Sequence, residues 1–145
     1  MATVGNCYLP ADLFYDVANN VWARREADGT ITVGMTTYAC GLVGELVAYL
    51  PKKVGSRVEQ GKSLASVESG KWVGPIKAPV GGEIVRINEA IAAKPSIINA
   101  DPYGQGWAVK LKPFDWDGEA DRLVTGSAVA EAFKAKMAAD GFVCR

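Results

Sequence analysis

"SLASVESGKWVGPIKAPVGGEIVRI", residues 63–87, is a series of short strand-like runs separated by turn signals. The runs are rich in β-branched residues, and prolines and a Gly-Gly pair interrupt them. Gly70 and Lys71 separate two of the runs, which predicts a β-hairpin with a two-residue turn at its tip. We expect Gly70 to permit the tight turn and the Lys71 side chain to point into solvent. The segment therefore indicates a mostly β protein.

The sequence around this hairpin contains an internal echo. "GELV" at 44–47 recurs as "GEIV" at 82–85, and a proline-containing loop and another short strand follow each copy. Two similar β units predict a sheet protein with an approximate two-fold relation. The echo places the Lys71 hairpin in the connection between the two halves. Further upstream, "VWARRE" and "TITVGM" flank the turn sequence "ADG" and predict another strand pair.

The C-terminal segment changes character and predicts a helix over residues 127–140. Its apolar side chains recur at every fourth position and form one stripe: Val129, Phe133 and Met137. We expect Ser127 to cap the start of this helix and Gly141 to end it. The helix would pack across the sheet as part of the core. Near the N-terminus, "ADLFYDVANN" predicts either a short helical turn or an extended arm.

Length and charge limit the classes of function. The 145 residues suffice for a single domain, 1–145, with a core over about 22–113. Sixteen basic and sixteen acidic residues give no net charge, which argues against nucleic-acid and anionic-membrane partners. The N-terminus lacks the features of a secretion signal, and the longest apolar run, 40–50, is interrupted by Glu45. We therefore expect a cytoplasmic protein.

The residue types that usually carry out catalysis are scarce. The chain has no histidine, which excludes Ser-His-Asp and Cys-His nucleophilic sites and the usual base near neutral pH. No pair of carboxylates stands out by its spacing, and no Cys-x-x-Cys sequence offers a zinc site. We expect neither a metal centre nor an enzyme that works with its own side chains.

Three cysteines, Cys7, Cys40 and Cys144, are candidate redox residues. An odd number of cysteines cannot all pair within one chain. Cys40 fits a small buried apolar residue, as free cysteine often is. Cys7 and Cys144 lie near the ends of the chain, and the sequence is compatible with a dimer in which either of them forms an intermolecular disulfide.

A lysine amine at an exposed tip is a site for acylation, which removes its charge. If the acyl group is lipoate, it becomes a flexible arm that ends in a strained five-membered disulfide ring. Such a ring opens readily to thiolates. Trp72 would shield the aliphatic part of the arm or mark a docking surface. Without such a group, Lys71 is an ordinary solvated residue of an interaction module.

Residues 22–113 resemble the glycine cleavage H-protein family. "VESGK", Val67–Lys71, resembles the Val-Glu-Ser-x-Lys run that carries the lipoyl lysine in that family, and "NADPYGQGW", Asn99–Trp107, resembles its Asn-x-Asp-Pro-Tyr-Gly-x-Gly-Trp run. The resemblance implies a lipoyl/biotinyl-type β-sandwich, a barrel-sandwich hybrid, with short flanking helices. It implies covalent lipoate on Lys71, a lipoate-protein ligase as partner, and Glu68 as the acidic residue that lipoylating enzymes read. A member of this family is a carrier protein of a multienzyme system.

The sequence departs from the family at two places. Asn20-Val21-Trp22 stands where the family has His-Glu-Trp, and Trp72–Pro75 replaces small residues and an aspartate after the lysine. With the three cysteines, this combination resembles the lipoate-binding proteins of sulfur oxidation, which work with a heterodisulfide-reductase-like complex. The first expectation is thus a swinging-arm carrier of sulfur intermediates on Lys71. The alternative is a glycine cleavage H protein that carries the aminomethyl group and has dihydrolipoamide dehydrogenase as a partner.

A biotin carrier would share the fold, but the tip differs. Such domains resemble Met-Lys-Met at the modified lysine, whereas this chain has Gly-Lys-Trp and its methionines lie elsewhere. Lys62 and Lys77 lie close to Lys71 in the sequence, and we expect both to stay unmodified.

Overall fold

The computed structural model describes residues 3–144 and consists mainly of short antiparallel strands. The strands are β1 (Thr3–Val4), β2 (Cys7–Tyr8), β3 (Phe14–Asp16), β4 (Val21–Arg25), β5 (Ile31–Met35), β6 (Leu46–Pro51), β7 (Arg57–Val58), β8 (Ser63–Ser69), β9 (Val73–Lys77), β10 (Gly82–Ile87), β11 (Val109–Pro113) and β12 (Val124–Thr125). The helices are α1 (Thr37–Val43), α2 (Glu89–Ala93), α3 (Ile97–Ala100), α4 (Trp116–Glu119) and α5 (Ala128–Asp140), with a 3₁₀ turn at Ala120–Arg122. This confirms the predicted mostly β class with short helices and a C-terminal helix.

Two main sheets form the molecule. Seven strands form the larger sheet in the order β12-β3-β4-β5-β11-β10-β7, and three form the smaller sheet in the order β6-β8-β9. The strand pair predicted around "ADG" is β4 and β5, in which Val21 pairs with Met35 and Arg25 with Ile31. Within "ADLFYDVANN", Phe14–Asp16 form β3 and the residues on either side form turns, and the larger sheet reaches beyond residues 22–113 at both ends.

The two copies of the internal echo fall in different sheets, in β6 and in β10. The Lys71 hairpin, β8–β9, lies wholly within the smaller sheet, and the chain crosses to the larger one at residues 78–81. Its turn at Gly70–Lys71 follows the first unit, β6–β8, and precedes the second, β9–β11, as predicted, and each unit contributes strands to both sheets. The tetrapeptide repeat marks equivalent strands, but it does not show which loop passes between the sheets.

The main core lies between the two sheets. From Ala65 to Ser69, strand β8 alternates between buried and exposed positions, as expected for a strand with one face on the core. Both sheets contribute fully buried aliphatic side chains to this core, among them Ile31, Val33, Leu64, Ile76, Ile84 and Leu111. Burial of this apolar surface is the main source of stability for such a sandwich.

Helix α5 covers a second apolar cluster near the N-terminal strands. The predicted stripe is buried there, together with Tyr15, Trp22 and Tyr38. Gly141 ends the helix with a left-handed backbone, φ +67°, as predicted. Ser127 does not cap it: its own backbone is helical, its hydroxyl makes no capping bond, and Val129 N–H bonds to the carbonyl of Gly126 instead. No helix within residues 3–144 is long and apolar enough to cross a membrane.

Candidate functional site

The hairpin of β8 and β9 presents Lys71 at its tip. Glu68 pairs with Val73, and Ser69 N–H donates a hydrogen bond of 2.8 Å to the carbonyl of Trp72. Gly70 and Lys71 are the two residues left between these partners, and both are exposed. The prediction of a hairpin with a solvent-facing lysine is confirmed.

The turn does not require its glycine. Gly70 has no positive φ, and a Cβ built on it meets no atom within 4 Å. The expectation that Gly70 makes the tight turn possible was wrong. The glycine that the local geometry does require is Gly44, which has φ +83° and ψ −167° at the end of α1. The Lys71 side chain rests there, with Cε 3.5 Å from the position of a Gly44 Cβ.

Ser69 fixes the tip to the rest of the fold. Its side chain is buried, and its hydroxyl donates a hydrogen bond of 2.5 Å to the carbonyl of Val43. The same oxygen accepts a longer bond of 3.4 Å from the main-chain N–H of Lys71. The hairpin is therefore held by its own strands and also by the end of α1.

The "NADPYGQGW" segment supports the same junction from the other side. Asn99 Nδ2 donates to the carbonyl of Gly44 at 2.8 Å, and Asn99 Oδ1 accepts from Leu46 N–H at 2.9 Å. One amide side chain thus satisfies main-chain groups on both sides of the bend between α1 and β6. This contact gives a physical reason for an asparagine at the start of the motif.

A cavity of about 700 Å³ adjoins the tip. Its lining includes Lys71, Asn99, Phe142 and two of the three cysteines, Cys40 and Cys144. An exposed primary amine on an anchored tip, beside a space of this size, fits a long acyl group attached to the lysine.

Two of the cysteines are joined. Cys7 and Cys144 form a disulfide across 137 positions of sequence, with Cα atoms 5.0 Å apart. They are thus paired within one chain, and the structure does not use them to bridge a dimer. Cys7 is 1% exposed, whereas Cys144 is half-buried and faces the cavity.

Cys40 is the free cysteine among the described residues. It lies in α1 and is only partly buried, which is less than the sequence predicted. Its thiol points toward the carbonyl of Ile98, with the sulfur 3.8 Å from that oxygen. Burial raises the pKa of the Cys40 thiol to about 12, so it stays protonated near neutral pH.

Glu68 lies on the outer face of the smaller sheet. It is exposed, with Val73 beside it on one neighbouring strand and Ala48 on the other. The next row of this face carries the exposed side chains of Leu50 and Pro75. A carboxylate among apolar neighbours next to the lysine is a surface that an enzyme can bind.

Trp72 lies beside the hairpin rather than along the cavity. Its indole covers Gly74, where a Cβ would come within 2.6 Å of the ring atom Cη2. It also borders a small separate space of about 50 Å³ together with Asn20. Asn20 Oδ1 is buried and has no hydrogen-bond partner among residues 3–144. Trp72 and Asn20 belong to the two segments in which the sequence departs from the glycine cleavage H-protein pattern.

No group of three or more metal-ligating side chains occurs in the described part of the chain. A comparison with protein-family models matches residues 13–136 to the glycine cleavage H-protein.

The chain belongs to the glycine cleavage H-protein family. It is 44% identical over 148 residues to glycine cleavage system H protein 5 of Aquifex aeolicus, covering 99% of each chain. It is 42% identical to a probable glycine cleavage system H protein 2 of Sulfurisphaera tokodaii, over 100% of this chain and 99% of the relative. A crystal structure of an H protein from Mycobacterium marinum matches with a TM-score of 0.76 and 34% identity, over 87% of this chain and 99% of that one.

Family membership confirms several expectations from the sequence. The fold is a lipoyl-type hybrid β-sandwich. Proteins of this family carry lipoate on a lysine and serve as non-enzymatic carriers of a multienzyme system. They interact with lipoate ligase and with components of glycine cleavage, including dihydrolipoamide dehydrogenase.

Three structural features of the site were missed from the sequence. Ser69 and Gly44 position the tip, and the Cys7–Cys144 pair borders the cavity. Ser69 directly precedes the turn, but a serine there carries no sequence signal for a bond to a distant helix. From the sequence, Gly44 was treated only as the first residue of the repeated "GELV". The structure shows that its positive φ is what requires a glycine there.

Proposed function

We propose that this chain is a lipoyl carrier whose arm is attached to Lys71. The observation that carries the proposal is the exposed Lys71 amine on a tip anchored to α1 and bordering a cavity of about 700 Å³. The neighbouring lysines lack this placement. Lys62 and Lys77 lie at the opposite end of the hairpin, about 20 Å away along the seven residues of β8.

Lipoate supplies a dithiol, one sulfur of which carries a reaction intermediate between enzymes. The chain's own residues would hold and present it. Lys71 forms the amide, Ser69 limits the movement of its attachment point, and the cavity lining removes part of the arm from water. Glu68 would be the acidic side chain that the lipoylating enzyme reads, since it is exposed three residues before the lysine.

We infer that the intermediate carried by the arm is the aminomethyl group of glycine cleavage. Relatives at 44% and 42% identity over the whole chain are named as H proteins of that system. Its partners would be the glycine-decarboxylating and aminomethyl-transferring enzymes and dihydrolipoamide dehydrogenase, which reoxidises the arm.

A second candidate is the transport of sulfane sulfur to a heterodisulfide-reductase-like complex. The observation that favours it is that two cysteines, Cys40 and Cys144, line the cavity beside Lys71. The Trp72 and Asn20 pair is a further departure from the glycine-cleavage pattern.

Attachment is tested by peptide mass spectrometry on protein made with a lipoate-protein ligase and ample lipoate. We expect lipoyl on Lys71, none in Lys71→Arg, and unchanged modification in the matched control Lys62→Arg. Lipoyl on another lysine, or a bare Lys71 after treatment with the ligase, would overturn the proposal. A bare Lys71 would favour the unmodified interaction module.

The intermediate is tested by the mass of the same peptide after loading. Incubation with glycine and the decarboxylating enzyme should add an aminomethyl group to the lipoyl peptide of the wild-type chain. Incubation with a persulfide donor should leave that peptide unchanged. If sulfur is added and glycine gives no product, the sulfur carrier is the correct assignment.

A further inference from the structure

Cys144 of the disulfide and the Lys71 side chain both lie close to the C-terminal end of α1. Cys144 Sγ is 3.8 Å from the position of a Cβ on Gly41, and Lys71 Cε is 3.5 Å from that of Gly44. Because these glycines are three positions apart at one helix end, Cys144 Sγ and Lys71 Cε are separated by no more than about 15 Å. Both Lys71 and Cys144 line the same cavity.

The two sulfurs of the disulfide differ in accessibility. Cys144 is half-buried and lines the cavity, with its sulfur 3.7 Å from the carbonyl oxygen of Thr37. Cys7 is 1% exposed, in β2. A thiolate that arrives through the cavity therefore meets Cys144 Sγ first, and Cys7 is the sulfur that leaves.

We propose that the Cys7–Cys144 disulfide exchanges two electrons with the dithiol arm of Lys71. The inference rests on the proposed lipoylation of that lysine. An acyl arm of this kind adds roughly 10 Å beyond Lys71 Nζ at ordinary bond lengths. Together with rotation of the exposed lysine side chain, that length spans the separation from Cys144 Sγ.

The exchange is balanced without another reactant. Cys144 Sγ is attacked by one thiolate of the reduced arm, a mixed disulfide forms, and the Cys7–Cys144 bond breaks. Cys7 leaves as a thiolate and takes up a proton. The second thiol of the arm, as thiolate, then displaces Cys144 Sγ, the five-membered ring closes, and Cys144 takes up a proton. The arm is oxidised by two electrons and the disulfide is reduced by two.

Cys40 lines the same cavity but does not take part. Its sulfur faces the carbonyl of Ile98, and burial keeps its thiol protonated by raising the pKa to about 12. A protonated thiol is a poor nucleophile in disulfide exchange. The disulfide therefore exchanges with the arm directly, without a resolving cysteine.

The test follows the thiols themselves. The lipoylated full-length chain, with lipoyl on Lys71 verified by mass, is reduced with excess NADH and catalytic dihydrolipoamide dehydrogenase. Samples are quenched with acid and alkylated at intervals. We expect alkylated Cys7 and Cys144 to appear at a rate that does not depend on protein concentration. A short tether gives an effective concentration in the millimolar range, so at 10 μM the rate should be about 100-fold above that of Lys71→Arg with equimolar free dihydrolipoamide.

Cys40→Ser is the matched control, and we expect it to exchange at the wild-type rate. The inference is overturned if the disulfide stays intact while the arm is reduced. It is also overturned if Cys7 and Cys144 are alkylated as fast in Lys71→Arg as in the wild type, or if Cys40→Ser stops the exchange. A disulfide absent from the isolated protein overturns it as well. The proposed function fails separately, when the first mass spectrum shows no lipoyl on Lys71.

Discussion

The hydroxyl of Ser69, at the end of β8, donates a hydrogen bond of 2.5 Å to the carbonyl of Val43, the last residue of α1. The bond joins two segments 26 residues apart and is buried. The orientation of the lysine-bearing tip therefore depends on a contact outside the hairpin. A carrier that presents one amine to several enzymes needs such a fixed base beneath a mobile arm.

Replacing Ser69 with alanine should both destabilise the fold and loosen the tip. The buried carbonyl of Val43 loses its partner, so we expect the free energy of unfolding to fall by about 1–3 kcal/mol. Urea denaturation followed by tryptophan fluorescence measures this, and the lipoylation rate should fall as well. Ser66→Ala, on the exposed face of the same strand, should stay within about 0.5 kcal/mol of wild type. Equal losses in both variants would contradict the anchoring role.

Gly44 should tolerate alanine poorly, although space for a methyl group exists. A Cβ there would be 3.5 Å from Lys71 Cε, an ordinary contact, but φ +83° with ψ −167° is a region open essentially to glycine. We expect Gly44→Ala to lower the free energy of unfolding by about 1–3 kcal/mol. The control is Gly70→Ala, whose Cβ meets nothing within 4 Å and whose φ is not positive. A larger loss in Gly70→Ala, measured by the same denaturation, would refute this assignment.

The sequence predicts those parts of the fold that depend on local pattern. Alternating burial along β8, the "ADG" hairpin and the stripe of α5 follow from periods of two and about four residues. Long-range pairing leaves no such pattern. Strand β12 pairs with β3, with Val124 opposite Tyr15, and neither strand of two or three residues signals its partner.

At the site, the exposed Lys71 followed from the turn signals, but its surroundings did not. Spacing along the chain contains no information on whether Cys7 reaches Cys144, because the fold alone brings them together. Gly70 was expected to permit the tight turn, since a glycine inside a predicted turn suggests a positive φ, but its backbone does not adopt one. The positive φ near the tip belongs to Gly44, at the end of α1. The Ser69 hydroxyl finds its partner in a different element, which no local motif predicts.

Removing the disulfide should lower stability substantially. The bond closes a loop of 137 positions, for which loop-closure entropy gives an upper value of about 5 kcal/mol and measured disulfides give about 2–4 kcal/mol. We expect the Cys7→Ser/Cys144→Ser double variant to lose stability within that range in urea denaturation. A phosphine reductant should destabilise the wild-type chain by a similar amount and leave the double variant unchanged. A wild-type chain indifferent to the reductant would contradict the presence of the bond.

The free thiol of Cys40 should be unreactive near neutral pH. Burial raises its pKa to about 12, so at pH 8 the native thiol should react with iodoacetamide about three orders of magnitude more slowly than in the urea-unfolded chain. The folded state then holds its proton at a pH where the unfolded state has lost it. Stability from this group is complete below the ordinary thiol pKa of about 8.5 and declines as the pH rises toward 12.

Burial also raises the pKa of three tyrosines, Tyr38, Tyr49 and Tyr103, to about 12. Their contribution to stability therefore also declines as the pH rises. Comparison with Cys40→Ala separates the contribution of the cysteine from that of the tyrosines. Between pH 8 and pH 10, the free energy of unfolding of the wild type should fall relative to that of Cys40→Ala. Rapid native labelling at pH 8, or a difference that does not change with pH, would show that the thiol is not held in its neutral form.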